Sequence, residues 1–284
     1  MFSLLDFFKD ALFDTLKTLP FLFAAYLIIE FIEAKAEEKT VEIVHRAGRL
    51  GPVLGSVLGV IPQCGFSAAT ANLYVSGLVT RGTLIAVFLS TSDEMLPILI
   101  SSSASAGFIA KVLIYKLIAA IIAGMIIDLI DRRFGLTKDR HIHEMCEQEG
   151  CKCEDGIFKS AVIHTLKIAG FLLLVNLILS FVIEYVGPDT ISRFILNRPI
   201  IGEFLSGLIG LIPNCAASVV ITQLYLQGSM SAGAMLSGLL TGSGVGLLVL
   251  FRMDRKSSEK YVTLLMLYVS GVLFGILANI LPIF

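Results

Sequence analysis

The sequence predicts an all-α polytopic membrane protein made of two inverted-topology repeats, each with a proline-broken helix or a re-entrant helical hairpin. Composition, apolar runs and an internal repeat support this prediction. Hydrophobic residues make up 56% of the 284 positions, charged residues make up 16%, and the mean hydropathy is +0.85. A soluble domain does not need so much apolar surface, so lipid is expected to cover part of it. The charges fall in a few short segments, which argues against a nucleic-acid partner.

An internal repeat relates the two halves of the chain. Residues 8–22 and 158–172 are identical at eight of fifteen positions, and residues 51–92 resemble 202–243 around a shared Gly-x-Ile-Pro-x-Cys core. Two blocks in the same order at nearly equal offsets, 150 and 151 residues, are hard to explain by chance similarity between glycine-rich helices. The predicted organisation is a first membrane repeat over 1–133, a cytoplasmic linker over 134–156 and a second membrane repeat over 157–284.

A helix needs roughly 20 residues to cross a bilayer. Judged by that length, the apolar runs form the same series of predicted segments in both halves. The pieces are 12–32, 51–61 with 64–78, 83–100 and 107–130, then 160–183, 200–212 with 215–228, 232–250 and 261–281. The segment 51–61 is too short to cross alone, and Pro62 cannot continue a helix without losing a hydrogen bond. A re-entrant hairpin and a single broken span both remain open.

The basic residues indicate how the halves are oriented. Fifteen of the 22 Lys and Arg residues lie in the loops 33–50, 79–82, 131–159 and 251–260. All four loops fall on one side if each half has an odd number of crossings, and short cytoplasmic loops are enriched in basic residues. The second half is therefore predicted to be inverted relative to the first, as in secondary transporters.

The two proline breaks are the leading candidates for a solute site. Each places a side-chain amide and a thiol beside backbone carbonyls that lose their helical partners, which is tolerated only in protein or around a water-filled cavity. The next helix is expected to begin near the cysteine, where its positive end favours the thiolate that binds metals. Buried, inert thiols are the alternative. The predicted solute-binding residues are Pro62, Gln63, Cys64, Pro213, Asn214 and Cys215, and the two cysteines are predicted metal ligands.

Two adjacent acids, Asp93 and Glu94, interrupt the predicted span 83–100. An ionisable group inside the bilayer costs at least ~2.5 kcal/mol, so a coupling role for the pair is favoured over a helix end at the interface. The second half has Gly244 and Val245 instead, so only the first half would contribute carboxylates to the site. The polar residues beside these positions that are predicted to contact the solute are Ser90, Ser92, Thr241 and Ser243.

Further polar residues fall within apolar segments. Asn72 and Gln223 are repeat partners that are expected either to line the same cavity or to make hydrogen bonds between helices. Lys111 and Lys116 lie in the predicted span 107–130. We expect both lysines to snorkel toward the membrane surface.

The linker between the repeats is rich in potential metal ligands. Imidazoles and thiols suit a soft or borderline metal, or a trivalent metalloid, although their spacing matches no standard zinc module. A flexible linker with reduced cysteines is the alternative. The predicted ligands are His141, His143, Cys146, Cys151 and Cys153.

The Pro-x-Cys-Gly break at Pro62, its duplicate at Pro213 and the Ser-Thr-Ser-Asp-Glu run over 90–94 resemble the bacterial ten-span heavy-metal exporters, relatives of the arsenic permeases. Some members of that family are labelled arsenic efflux proteins and others manganese transporters. The resemblance implies metal or metalloid export and points to Cys64, Cys215, Asp93 and Glu94. Ten spans agree with an odd number of crossings per half, although the lengths fit three full crossings plus a hairpin more easily.

The predicted function is secondary-active efflux of a metal or metalloid, with arsenic(III) or a soft heavy metal favoured, across the bacterial inner membrane. No nucleotide-binding loop of the Gly-x4-Gly-Lys type occurs, which favours proton coupling. The alternatives are a Mn²⁺ or other small-solute permease, a channel and an intramembrane enzyme. An enzyme is disfavoured because no histidine lies at a span centre to act as base for Cys64. No cofactor is expected, and a homodimer is compatible with the sequence.

Overall fold

The computed structural model describes residues 50–61, 64–92, 95–102, 104–134, 200–253 and 258–281, together with scattered positions between 12 and 27 and between 158 and 178. All regular secondary structure in these residues is helical. The helices are α1 (Gly51–Gly59), α2 (Cys64–Val75), α3 (Arg81–Ser90), α4 (Met95–Ser101), α5 (Ala106–Phe134), α6 (Ile201–Gly210), α7 (Cys215–Leu226), α8 (Ala232–Thr241), α9 (Gly246–Met253) and α10 (Glu259–Ile280).

Within the part of the chain that the structure describes, four segments are long and apolar enough to cross a bilayer, and they confirm the all-α polytopic membrane class. They are Arg81–Ser101, Ala106–Phe134, Ala232–Met253 and Glu259–Ile280. On α5 and α10, large apolar side chains such as Ile118, Leu129, Leu265 and Leu273 are exposed. More than half of each of these side chains is exposed, so the outer faces of α5 and α10 are suited to contact lipid.

The predicted spans over 83–100 and 232–250 lie within the membrane-length segments Arg81–Ser101 and Ala232–Met253, and each contains a break in its helix. Helix α3 ends at Ser90 and Thr91 leaves it in an extended conformation, while α8 ends at Thr241 and the chain turns through Gly244 at a φ of 54° before α9 begins. Hydroxyl groups provide the local reason, because Thr91 Oγ1 donates to the Val87 carbonyl at 2.7 Å and so offers the backbone an alternative to further helix. A positive φ is accessible to glycine without strain.

Helices that are equivalent in the repeat pack alike. Helix α3 is buried over all its residues and lies between α1 and α5, and α8 occupies the same place between α6 and α10. Helix α9 packs along α2 of the other half, as α4 packs along α7. Each apolar core therefore includes half of a broken helix from the other repeat, which interlocks the two halves. The inversion of one half relative to the other stays a prediction.

The segments flanking the first proline break do not form a closely packed hairpin. Helix α1 packs along α3, whereas α2 packs mainly along α9 and touches α1 at few positions. Helix α6 likewise packs along α8 and touches α7 at few positions, while α7 packs on both α4 and α8. The two parts of each element diverge, which favours the broken-element alternative over the close hairpin. Pro62 itself lies outside the described residues.

Glycines allow the inner and outer helices of each half to approach closely. A Cβ atom added to Gly82 of α3 would lie 2.2 Å from the carbonyl oxygen of Gly124 in α5. A Cβ atom added to Gly233 of α8 would lie 2.8 Å from the carbonyl oxygen of Gly275 in α10. Such backbone contacts through small residues are typical of helix association in lipid.

The two halves are joined differently at the two ends of the bundle. At one end Arg81 donates to Asp131 at 2.8 Å, to Glu259 of the second half at 3.3 Å and to the Tyr74 hydroxyl at 3.2 Å. The repeat partners of Tyr74 and Glu259 are Tyr225 and Phe108 (the offset is 151). Their rings stack with centroids 5.5 Å apart. One joint is therefore ionic, and its pseudo-symmetric equivalent is aromatic.

The glycine contact predicts a steric effect of Gly82→Ala. The new methyl group would meet the Gly124 carbonyl and the Asp128 carboxylate, neither of which can move without shifting α5, so we expect a loss of about 1–3 kcal/mol in the free energy of unfolding. Thermal unfolding of the purified protein in detergent measures the change. Gly107→Ala is the matched control, because a Cβ atom there meets nothing within 4 Å. Equal melting temperatures for the two variants would contradict the close helix contact.

Candidate functional site

The C-terminal ends of the two inner helices meet at one lysine. Lys116 of α5 is 1% exposed, and its Nζ donates to the Thr91 carbonyl at the end of α3 and, at 2.8 Å, to the Leu239 carbonyl in the last turn of α8. The last carbonyls of a helix lack intrahelical partners and carry partial negative charge. The ammonium group is thus placed where two negative helix ends converge.

The expectation that Lys116 snorkels is wrong. It lies ten residues into α5, a rise of about 15 Å along the helix axis, and its side chain points into the protein rather than toward the surface. The carbonyls freed by the helix breaks provide the partners that water would otherwise provide. Lys111 on the same helix is exposed. Sequence alone marked both lysines as intramembrane but could not tell which face of α5 is covered by protein.

The four hydroxyl residues predicted to contact the solute are all buried beside the two helix breaks. Ser92 Oγ donates to the Val60 carbonyl at 2.7 Å, which ties the end of α3 to the residue just before the first proline break. Thr241 Oγ1 donates to the Gly207 carbonyl at 2.8 Å, and Ser90 Oγ donates to the Val87 carbonyl at 3.0 Å. The Ser243 hydroxyl has no hydrogen-bond partner among the described residues.

The helices that follow the two Pro-x-Cys motifs flank the same break. A Cβ atom added to Gly246, the first residue of α9, would lie 2.8 Å from the Cβ atom of Ser67 in the first turn of α2. A Cβ atom added to Gly242, at the end of α8, would lie 3.4 Å from Ser218 Oγ in the first turn of α7. Ser67 and Ser218 are repeat partners. The starts of α2 and α7 therefore converge on the segment between α8 and α9.

The second break is described from Ile212 to Asn214. Asn214 is 6% exposed; its backbone N–H donates to the Ile212 carbonyl at 2.7 Å, and its carbonyl accepts from Ala217 at 3.2 Å. It directly precedes α7, a position at which asparagine is among the preferred residues. Pro213 beside it is half-buried. The proline thus ends one segment and the asparagine introduces the next helix.

Several predicted site residues cannot be placed. Cys64 and Cys215 begin α2 and α7 as expected, but their side chains lie outside the described residues. Among the residues that the structure describes, no group of three or more His, Cys, Asp or Glu side chains could hold a metal ion. The predicted residues that lie wholly outside the described part of the chain are Pro62, Gln63, Asp93, Glu94, His141, His143, Cys146, Cys151 and Cys153.

Asn72 and Gln223 do not share an environment. Asn72 is fully buried in α2, whereas Gln223 on α7 is exposed. Gln223 lies on the same outward side of α7 as the exposed Leu226. The alternative that both amides line one enclosed cavity does not fit Gln223.

The fold and the site define a class of protein. Broken helices whose ends meet beside buried polar groups inside an otherwise apolar helical bundle are typical of membrane transport proteins. Residues 4–201 match the family ArsP_2, described as "Putative, 10TM heavy-metal exporter". The match covers more than half of the chain, and the chain belongs to this family. Comparison with curated proteins and with solved structures gives no match. An exporter family is not a class of enzymes, and the absence of catalytic activity stays a prediction.

The contacts of Lys116 predict that Lys116→Met is destabilising. The Thr91 and Leu239 carbonyls would lose a charged donor in a place that water does not reach, and an unpaired buried acceptor costs about 1–3 kcal/mol. We expect a lower melting temperature in detergent for this variant. Lys111→Met provides the control on the same helix, where an exposed side chain should change stability by no more than about 0.5 kcal/mol. A Lys116→Met protein as stable as the control would show that the ammonium does not hold the helix ends.

Proposed function

We propose that the protein is a secondary-active efflux permease for a soft metal or metalloid, with arsenic(III) the preferred cargo, in the bacterial inner membrane. The observation that carries this proposal is the meeting of helix ends inside the bundle. Helices α3 and α8 end at Lys116, while α2 and α7 begin beside the break between α8 and α9. Helix ends of opposite sign around one interior region can bind and release a solute without a continuous pore.

Ligand chemistry favours a soft cargo. Cys64 and Cys215 each begin a helix one turn before the serines that flank the break between α8 and α9. Thiolates select soft metals and trivalent metalloids. Because the two helices converge on one segment, a thiol from each half would reach the same solute.

Divalent cation transport, with Mn²⁺ as cargo, is the second candidate. Asn214 is buried at the second break, and backbone carbonyls end both inner helices nearby. These oxygen ligands, with Asp93 and Glu94 from the first half, would suit a harder ion than the thiols do. The two candidates use the same location but depend on different side chains.

A proton gradient is the proposed driving force. The sequence carries no phosphate-binding loop for ATP, and an intramembrane carboxylate pair such as Asp93 and Glu94 can take up and release protons. The His/Cys linker is proposed to bind the same class of cargo on the cytoplasmic side. The protein is proposed to move its cargo across the membrane without catalysing a reaction.

A resistance panel in a sensitive host tests the cargo. The parent protein should raise tolerance to arsenite, methylarsenite or Cd²⁺, and Cys64→Ser or Cys215→Ser should remove that gain, because a lost ligand worth about 1.4 kcal/mol lowers affinity tenfold. Growth across arsenite, methylarsenite, Mn²⁺, Zn²⁺ and Cd²⁺ is measured for each variant at equal expression. Cys146→Ser in the linker makes the same chemical change outside the predicted spans and should lower tolerance less.

The outcomes separate the candidates. Full arsenite and Cd²⁺ tolerance in both membrane cysteine variants would overturn the soft-ligand proposal. Protection by the parent against Mn²⁺ alone would favour the second candidate. Uptake into everted vesicles that needs an imposed pH gradient distinguishes a coupled exporter from a channel, which would equilibrate the solute without one.

A further inference from the structure

The hydroxyl groups beside the helix breaks differ in whether they have a partner. Ser90, Ser92 and Thr241 each donate to a backbone carbonyl. Ser243 is 1% exposed, and its Oγ atom has no hydrogen-bond partner among the described residues. Burying a hydroxyl group without a partner is costly, so the Ser243 hydroxyl points to a solute that supplies the missing hydrogen bond.

Three helices begin around Ser243, which lies between the end of α8 and the start of α9. On one side of it, a Cβ atom added to Gly242 would lie 3.4 Å from Ser218 Oγ in the first turn of α7. On the other side, a Cβ atom added to Gly246 would lie 2.8 Å from the Cβ atom of Ser67 in the first turn of α2. The first N–H groups of a helix carry partial positive charge, which favours a solute with oxygen atoms that accept hydrogen bonds.

The negative helix ends at the same place are already bound to a cation. Lys116 Nζ donates to the Thr91 carbonyl at the end of α3 and to the Leu239 carbonyl in the last turn of α8. The Leu239 carbonyl oxygen would lie 3.7 Å from a Cβ atom added to Gly242, the neighbour of Ser243. A bare divalent cation would need such carbonyls as ligands and would meet the ammonium charge beside them. An uncharged solute avoids that repulsion.

The buried carboxyl groups that the structure describes lie away from this break. Asp128 and Asp131 lie near the start of α3. Glu203 lies beside the start of α8, where its Oε1 atom would be 2.9 Å from a Cβ atom added to Gly233. Each of these helix starts is separated from the break by about 15 Å of helix. Among the described side chains, Lys116 is therefore the charged group that is buried at the break.

We propose that the solute is bound as an uncharged oxyacid, with Ser243 donating to one of its oxygen atoms, and not as a bare cation; this rests on the proposed efflux function. Arsenite is such a solute, because it is an uncharged trihydroxide at neutral pH. Lys116 determines the selectivity, since its ammonium group occupies the carbonyls that a bare cation would need.

The two cysteines of the proposed site leave one oxygen for Ser243. When the thiols of Cys64 and Cys215 each bond to arsenic, each thiol hydrogen leaves with one arsenic-bound hydroxyl group as water. Two As–S bonds replace two As–O bonds, and the oxidation state of arsenic does not change. The third hydroxyl group stays on arsenic and accepts from Ser243. Methylarsenite, which has a methyl group and two hydroxyl groups, keeps no oxygen after the same two exchanges.

This difference between two arsenic compounds provides the test. Binding of arsenite and of methylarsenite to the purified full-length protein in detergent is measured by equilibrium dialysis. We expect Ser243→Ala to weaken arsenite binding by about three- to tenfold, the range for one lost hydrogen bond, and to change methylarsenite binding by less than about twofold. A loss of folded protein would lower the binding of both compounds alike.

Ser206→Ala is the matched control. Ser206 is also fully buried, and its Oγ atom also has no partner among the described residues. It lies on α6 and faces the middle of α8, where a Cβ atom added to Gly238 would be 2.4 Å from its Oγ atom. Because the same group is removed away from the break, the binding of both arsenic compounds should match that of the parent.

The role of Lys116 is tested with Cd²⁺, a soft cation that carries no hydroxyl group. Lys116→Met removes the ammonium charge and frees two carbonyls, so we expect the ratio of Cd²⁺ binding to arsenite binding to rise by about tenfold. The ratio does not depend on how much of the variant is folded. Lys116→Arg keeps the charge and should keep the ratio of the parent.

The outcomes distinguish this proposal from the proposed function. If Ser243→Ala weakens the binding of both arsenic compounds equally, or of neither, Ser243 does not bind a solute oxygen, although efflux can stand as proposed. If the parent binds Cd²⁺ more tightly than arsenite and Lys116→Met keeps the same ratio, Lys116 does not determine the selectivity. If the parent binds none of the probes and gives no resistance in the growth panel, the proposed function itself fails.

Discussion

The structure depends on satisfying backbone groups that are exposed where helices end inside the membrane. Lipid offers no hydrogen bonds, so a carbonyl freed by a helix break must find a donor within the protein. Helices α3 and α8 both end in the interior, and Lys116 donates to a carbonyl at each end. This requirement explains the layout, because the broken helices must be enclosed by protein. The unbroken helices α5 and α10 can then take the lipid-facing positions.

Duplication gives the two halves the same helix packing, and later divergence gives them different functional side chains. The helix order, the glycine contacts and the cross-packing of the broken helices recur in both halves. The buried lysine and the buried glutamate do not recur: Leu267 stands opposite Lys116 in the repeat, and Pro52 stands opposite Glu203. A transporter of this kind can keep two-fold packing, which is stable in either half, while it places charged groups only where a direction of movement requires them.

The sequence alone predicts the class of fold, the internal repeat and the beginning of α2 and α7 at their cysteines. These features depend on the length of apolar runs and on the geometry of proline. The sequence does not predict the breaks after Ser90 and Thr241, because hydropathy averaged over a span hides a few small polar residues. The burial of Lys116 is hidden from the sequence for another reason. Whether a lysine reaches water depends on which helix face is covered, and only the packing of α3 and α8 against α5 decides that. The sequence does not predict the burial of Glu203, which is 1% exposed in the first turn of α6, because an acid at the edge of a short segment is expected to reach water.

The unequal joints at the two ends of the bundle have a consequence for the empty protein. Parting the halves at the Arg81 end separates its guanidinium from the Glu259 carboxylate of the second half, whereas parting them at the other end separates the rings of Phe108 and Tyr225. Breaking a buried ion pair costs several kcal/mol, and a stacked pair of rings contributes about 0.5–1.5 kcal/mol beyond its buried area. The predicted cytoplasmic position of the basic loops would make the inward mouth the harder one to open. A solute can shift that balance only by binding the inward-open form more tightly than the closed one, so the ionic joint sets a threshold affinity below which a solute is not admitted.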